Sequence, residues 1–124
     1  MTPQFILSVA AGGAIGSVAR YLVGIGSGKM FGVNFPWGTL IINVTGSFLI
    51  GLFATKWDFP QAVRIFLIVG ICGGYTTFST SSLDSFYLMD RGEAVAAAAY
   101  MIGSVVLSLG ALIAAMLVVR ALPN

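Results

Sequence analysis

The sequence predicts an all-α integral membrane protein with four transmembrane helices per chain and a break in the third. Three observations carry that prediction. The 124 residues are 58% hydrophobic and only 8% charged, with a mean hydropathy of +1.00. The apolar residues gather into four stretches, near 5–25, 36–55, 62–89 and 94–122, each able to supply the roughly 20 residues a spanning helix needs. The third stretch contains Gly70-Ile71-Cys72-Gly73-Gly74-Tyr75-Thr76-Thr77-Phe78-Ser79-Thr80-Ser81-Ser82, which sets glycines and hydroxyls at membrane depth. Backbone groups there must be bonded within the protein or line a wet cavity. A helix break near 73–80 therefore points to an ion site or a permeation path. The plainer alternative is a packing kink, because small and hydroxyl residues also join spans.

The first span carries Gly12, Gly13 and Gly16, then Arg20. Gly12 and Gly16 have the small-xxx-small spacing of closely packed helices, and packing is the favoured reading for them. Arg20 lies near the end of the span. Two readings stand side by side: a side chain that snorkels to the interface, or positive potential at a wet entrance. The first loop is expected over Gly26–Phe35. Pro36 suits a first helical turn and Trp37 the interfacial belt. Inside the second span, Asn43 sits near mid-membrane with Thr39 four residues earlier on the same face. Such an amide needs partners. It makes either an interhelical hydrogen bond or a donor to a polar path, and the second reading is favoured. The loop Lys56-Trp57-Asp58-Phe59-Pro60 leads into three apolar turns, Ala62–Cys72, ahead of the break. Arg91-Gly92-Glu93 forms the last tight loop. In the fourth span Tyr100, Ser104 and Ser108 fall at i, i+4 and i+8, which aligns three hydroxyls on one face. Serines in a span often only bond back to the carbonyl at i−4; in register with a phenol they read as a polar rail.

Composition excludes several classes. Almost nothing is left outside the spans, so residues 1–124 form one membrane domain. The first stretch does not read as a signal peptide, since it lacks a basic start and holds glycines and Arg20. One cysteine allows no internal disulfide, and the absence of histidine removes histidine catalysis and histidine-ligated metal. The net charge of +2 comes from six scattered bases, with no basic cluster for nucleic acid. No nucleophile–base pair suggests an enzyme. Lys56, Arg64 and Arg120 fall on one side of the membrane; Lys29 and Arg91, with Arg20 nearby, fall on the other. Lys and Arg in short loops set orientation. So even a balance lets the chain insert both ways and makes an antiparallel dimer possible.

Over nearly its full length the chain resembles the Fluc (CrcB) fluoride channel family. The resemblance rests on Gly12-Gly13, Gly16 and Arg20-Tyr21 in the first span, and on Gly38-Thr39-Leu40, Asn43 and Gly46 in the second. Its most specific part is Gly70 followed by Gly73-Gly74-Tyr75-Thr76-Thr77-Phe78-Ser79-Thr80 in the third. It implies an antiparallel, dual-topology homodimer with two fluoride pores in the bacterial plasma (inner) membrane. It also implies a structural sodium ion at the dimer axis, held by the backbone carbonyls of Gly73 and Thr76 in each chain, as suits a hard cation. Asn43 matches the family's pore asparagine and Phe78 the first of two phenylalanines whose positive ring edges face the anion. Tyr100, Ser104 and Ser108 match its hydroxyl track, and Arg20 its first-helix arginine. With Thr39, Ser79, Thr80 and Ser81, these complete the expected fluoride path. Two positions depart from the family. Ser81 stands where many members have the second phenylalanine, and Asp84 where they often have glutamate.

A selective path must replace fluoride's tightly held water with many weak donors. The resemblance implies passive export that lowers fluoride toxicity: HF crosses the bilayer unaided, dissociates inside and traps the anion. Two alternatives compete. A small dual-topology multidrug or cation transporter needs an acid within the membrane, but the only glutamate, Glu93, lies in a loop and the first span has no acid. A non-transporting membrane subunit explains the glycines but not the clustered asparagine and hydroxyls.

Overall fold

Thr2 starts the first helix. Its side chain accepts from the Phe5 N–H at 3.4 Å, and Pro3 takes the first helical position, where a missing N–H costs nothing. The computed structural model describes residues 2–55 and 58–123. Lys56 and Trp57, assigned above to the second loop, lie outside the described residues. Helix α1 spans Pro3–Phe31 and so runs through Gly26 and Gly28, where a loop was expected. Between these two glycines, Ser27 packs against the second span. A Cβ on Gly38 would lie 3.4 Å from Ser27 Cβ and 3.5 Å from Gly24 Cα, and Ser27 is buried. This contact outweighs the helix cost of glycine, about 1 kcal/mol per residue. The helix stops at Gly32, whose φ of 79° favours glycine.

Helix α2 covers Trp37–Thr55. The third span, Gln61–Asp90, is assembled in pieces. Helix α3 (Gln61–Arg64) runs into a π-helix (Ile65–Cys72), then α4 (Gly73–Tyr75); Thr76 and Thr77 are extended, and α5 (Phe78–Asp90) resumes. The break is thus two residues wide and lies within the expected 73–80. The stretch before it is a wide π-helix rather than the ordinary helix expected there. Its carbonyls face the glycine side of α1. A Cβ on Gly12 would strike the Phe66 carbonyl, and one on Gly16 the Ile71 carbonyl. Gly92, at φ 80°, turns the chain into helix α6 (Ala94–Ala121).

The spans pair through these small residues. Helix α1 lies along the first half of the third span, α2 lies along α6, and α5 rests on α6. A Cβ on Gly51 would sit 2.6 Å from the Leu112 carbonyl and 2.8 Å from Ala115 Cβ, so α2 and α6 meet almost backbone to backbone. At one end Arg91 donates to the Asn34 carbonyl at 2.6 Å and to Glu93 Oε2 at 2.6 Å, tying the first loop to the last. Large apolar side chains such as Leu7, Val18, Leu22, Val95 and Val106 face outward. Together with four helices long and apolar enough to span, this is the surface of a protein dissolved in lipid.

The glycine contacts set Gly12 and Gly16, paired by their spacing, apart from Gly13. Gly12→Ala and Gly16→Ala should each destabilise the protein by about 1–3 kcal/mol, the usual cost of overpacking. Gly13→Ala should be tolerated, because a Cβ there meets nothing within 4 Å. Thermal unfolding of the three variants in detergent checks the ordering.

Candidate permeation site

The break is organised by one side chain. Asn43, projecting from α2, accepts the Thr77 N–H on Oδ1 at 2.8 Å. Its amide nitrogen donates to the Thr77 carbonyl at 2.9 Å and to Ser81 Oγ at 2.9 Å. The interhelical hydrogen bond is therefore present, and both amide protons are used within the chain. Thr77 Oγ1 in turn caps α5 by accepting the Thr80 N–H at 3.3 Å, as an N-cap threonine does.

These diversions have a consequence for two carbonyls. The Thr77 N–H would otherwise close a helical turn on the Gly73 carbonyl, and the Thr80 N–H one on the Thr76 carbonyl. Each goes to a side chain instead. The carbonyls of Gly73 and Thr76, the residues expected to supply cation ligands, are thus two of the four, with Gly74 and Tyr75, that lose their ordinary helical donors at the break. Gly73 is also exposed on the surface of the chain. Paired neutral carbonyls of this kind fit a small hard cation. The neighbouring Gly74 carbonyl is taken by Arg20, whose Nε donates to it at 3.2 Å.

The expected path residues fall into two cavities. One, about 620 Å³, is bordered by Asn43, Phe78, Ser81, Tyr100, Ser104 and Ser108, together with Thr76 and Thr77. The other, about 470 Å³, is bordered by Arg20, Thr39, Thr77, Thr80 and Asp84. Thr77 borders both. Thr39 and Asn43, one turn apart on α2, open to different sides of it. Ser79 borders neither cavity and shares a hydrogen bond with Thr77 Oγ1 at 3.2 Å.

The hydroxyls differ in what they have left to donate. Ser81 gives its proton to the Thr77 carbonyl at 3.1 Å. Ser85 bonds back to the Ser81 carbonyl at 2.8 Å and Ser82 to the Phe78 carbonyl at 3.1 Å. Tyr100, buried under the T-shaped ring of Phe35 at 5.6 Å, donates to Asp84 Oδ2 at 3.1 Å. Ser104 Oγ is buried in the larger cavity with no partner. Phe78, 83% exposed, holds its ring away from its own chain at the cavity rim.

Two residues that the sequence reading passed over belong here. Ser47 borders the larger cavity; it continues the i, i+4 series of Thr39 and Asn43, so the periodicity carried its signal. Asp84 was noted only as a departure from a family pattern, and its link to Tyr100 had no signal in the spacing.

Comparison with known proteins bears on this arrangement. Residues 7–116 match the family described as "CrcB-like protein, Camphor Resistance (CrcB)". This chain belongs to the CrcB family. It is 73% identical over 122 residues to a protein of Nitrobacter hamburgensis named fluoride-specific ion channel FluC 1, covering 95% of this chain and 97% of that one. It is 74% identical over 120 residues to a fluoride-specific ion channel FluC of Nitrobacter winogradskyi, covering 94% and 95%. A FluC of Rhodospirillum centenum is 50% identical over 121 residues, covering 94% and 96%. Four spanning helices and bacterial relatives at this identity make the chain a multi-pass bacterial membrane protein.

Asn43→Asp tests the clamp in this CrcB chain. The substitution removes both donors and sets a carboxylate oxygen against the Thr77 carbonyl. Unsatisfied buried groups cost about 1–3 kcal/mol each, so its melting temperature in detergent should fall well below that of Ser47→Ala, a change beside the same cavity.

Proposed function

We propose that this chain is a fluoride-selective channel, not an enzyme, that lets cytoplasmic fluoride leave passively across the bacterial inner membrane and so lowers its toxicity. The observation that carries the reading is near-full-length identity of 73–74% to relatives named fluoride-specific ion channels. The larger cavity suits that role. Fluoride gives up bound water only to comparable donors, and hydrogen bonds to charged groups contribute about 1.5–3 kcal/mol each. The unpartnered Ser104 hydroxyl offers such a donor, Ser108 lies one turn further on the same face, and the rim ring of Phe78 can present its positive edge. Asn43 and Ser81 hold the wall in shape and donate to the anion only if their present bonds to Thr77 yield.

We infer a dual-topology, antiparallel homodimer as the working unit. The exposed Gly73 and the outward Phe78 ring suit a face that a second copy covers. The carbonyls of Gly73 and Thr76 would then hold a sodium ion at the dimer axis. When bound, the ion supplies fixed positive charge that replaces the hydrogen bonds those carbonyls lose at the break.

Liposomes holding the purified protein should release fluoride and retain chloride; equal release of both, or of neither, rejects the channel reading. In the same preparation Phe78→Ile should lose most of the flux, while Ser81→Phe should conduct. A Phe78→Ile variant as fast as wild type removes the ring from the path.

A reporter fused to the C-terminus should be found on both faces of the membrane, since the basic residues are nearly balanced. Two lysines added to the loops of one side should bias it to a single face.

Exchange of sodium for N-methylglucamine should lower the melting temperature of the purified protein, because a ligand held only by the folded state stabilises it by mass action. The same melting temperature in both salts would count against the ion.

A further inference from the structure

The cavities continue beyond the two described. A third, about 540 Å³, lies at the loop end between Asn34, Gly92, Glu93 and Val95, residues exposed on the surface. Phe35 borders this outer cavity and also the Arg20 cavity. Thr77 borders the Arg20 cavity and the Ser104 cavity. Phe35 therefore lies on the shared border of the outer and Arg20 cavities, and Thr77 on that of the Arg20 and Ser104 cavities.

Phe35 is held firmly for a loop residue. Its ring meets Tyr100 at right angles, 5.6 Å between centroids, and Trp37 at 4.7 Å. It packs on the buried cluster of Leu88, Ala97 and Tyr100. Next to it, the Asn34 carbonyl accepts from Arg91 at 2.6 Å, so the last loop pins the backbone that carries the ring.

From this arrangement we propose that Phe35 is a selectivity-determining residue, the outer constriction of an anion route that enters at the loop end, and that Arg91 positions it. The proposal rests on the channel reading. The physical logic is local. An apolar ring between two spaces that each hold a few polar side chains bars a hydrated anion unless its water is shed or the ring swings aside. Removal of the ring joins the outer cavity to the one that holds Arg20, Thr39 and Thr80. Larger and less strongly hydrated anions then reach the guanidinium. The ring also packs against Tyr100, whose hydroxyl is bound to Asp84, so its place fixes the start of the hydroxyl track.

Accessibility tests the wall without relying on flux. On a Cys72→Ala background, Thr39→Cys places a single thiol in the Arg20 cavity. Its reaction with a membrane-impermeant thiol reagent should be slow with Phe35 present, severalfold faster with Phe35→Ala and with Arg91→Ala, and slow again with Phe35→Tyr. Phe35→Leu keeps apolar bulk on Leu88 and Ala97 without the ring, and covers the case in which Phe35→Ala does not fold. Equal rates in all folded variants, or a thiol that already reacts fast with Phe35 in place, overturn the proposal. In liposomes the same ringless variants should release chloride that wild type retains. If wild type fails to conduct fluoride, the channel reading falls while the labelling result still decides the wall. If wild type conducts and Phe35→Leu both labels and selects like it, the constriction lies elsewhere.

Discussion

Everything distinctive in this chain depends on how one asparagine replaces the hydrogen bonds of a broken helix. At membrane depth a helix break leaves the N–H and carbonyl of Thr77 without helical partners, and each left bare would cost several kcal/mol. The Asn43 amide satisfies both, reproducing with a side chain what a neighbouring strand would supply. The third span can then stop, run extended for two residues and restart. The restart is inexpensive because Thr77 serves as its own cap. The freed carbonyls, the hydroxyl-lined cavity and the exposed phenylalanine all follow from a backbone that departs from the helix at that point.

The glycines make the clamp reachable. Asn43 meets Thr77 only because Gly46, one turn below, lets Thr76 and Tyr75 lie directly against α2; a Cβ on Gly46 would overlap the Thr76 methyl. On the other side Gly12, Gly16, Gly70 and Gly74 bring α1 and the third span to backbone contact. That contact puts Arg20 within reach of the Gly74 carbonyl. Small residues therefore do more than join helices here. They set the distance at which two longer side chains, one amide and one guanidinium, take over carbonyls and N–H groups from the helix.

Much of this was legible in the sequence, for reasons that also mark where legibility ends. The four spans follow from hydropathy, and the break from glycines running into hydroxyls. Which carbonyls the break frees was not readable, because periodicity says nothing about which N–H a side chain will capture. The extension of α1 through Gly26 and Gly28 and the π-helix before the break were not readable. Both are decided by contact with another span, and tertiary contact overrides local propensity. The contrast between Gly12 and Gly13 was legible, since neighbours on a helix point about 100° apart and spacing pairs Gly12 with Gly16. The Asp84–Tyr100 bond joins residues sixteen apart on separate helices, beyond any local pattern.

The hydroxyls show why a list of polar residues is not yet a path. A serine or threonine in a helix has a ready acceptor in the carbonyl one turn back, and most of those along the third span use it. A proton committed in this way is available to a passing anion only if the bond is broken. Ser104 lies on α6, across the cavity from that span, and its hydroxyl is bonded to nothing. Leaving a buried donor open is costly, and the cost recurs in every folded copy. In the proposed channel, an anion that reached this hydroxyl would remove the cost for as long as it stayed. A donor held open in this way favours entry without binding so tightly that exit is lost, the balance that conduction requires.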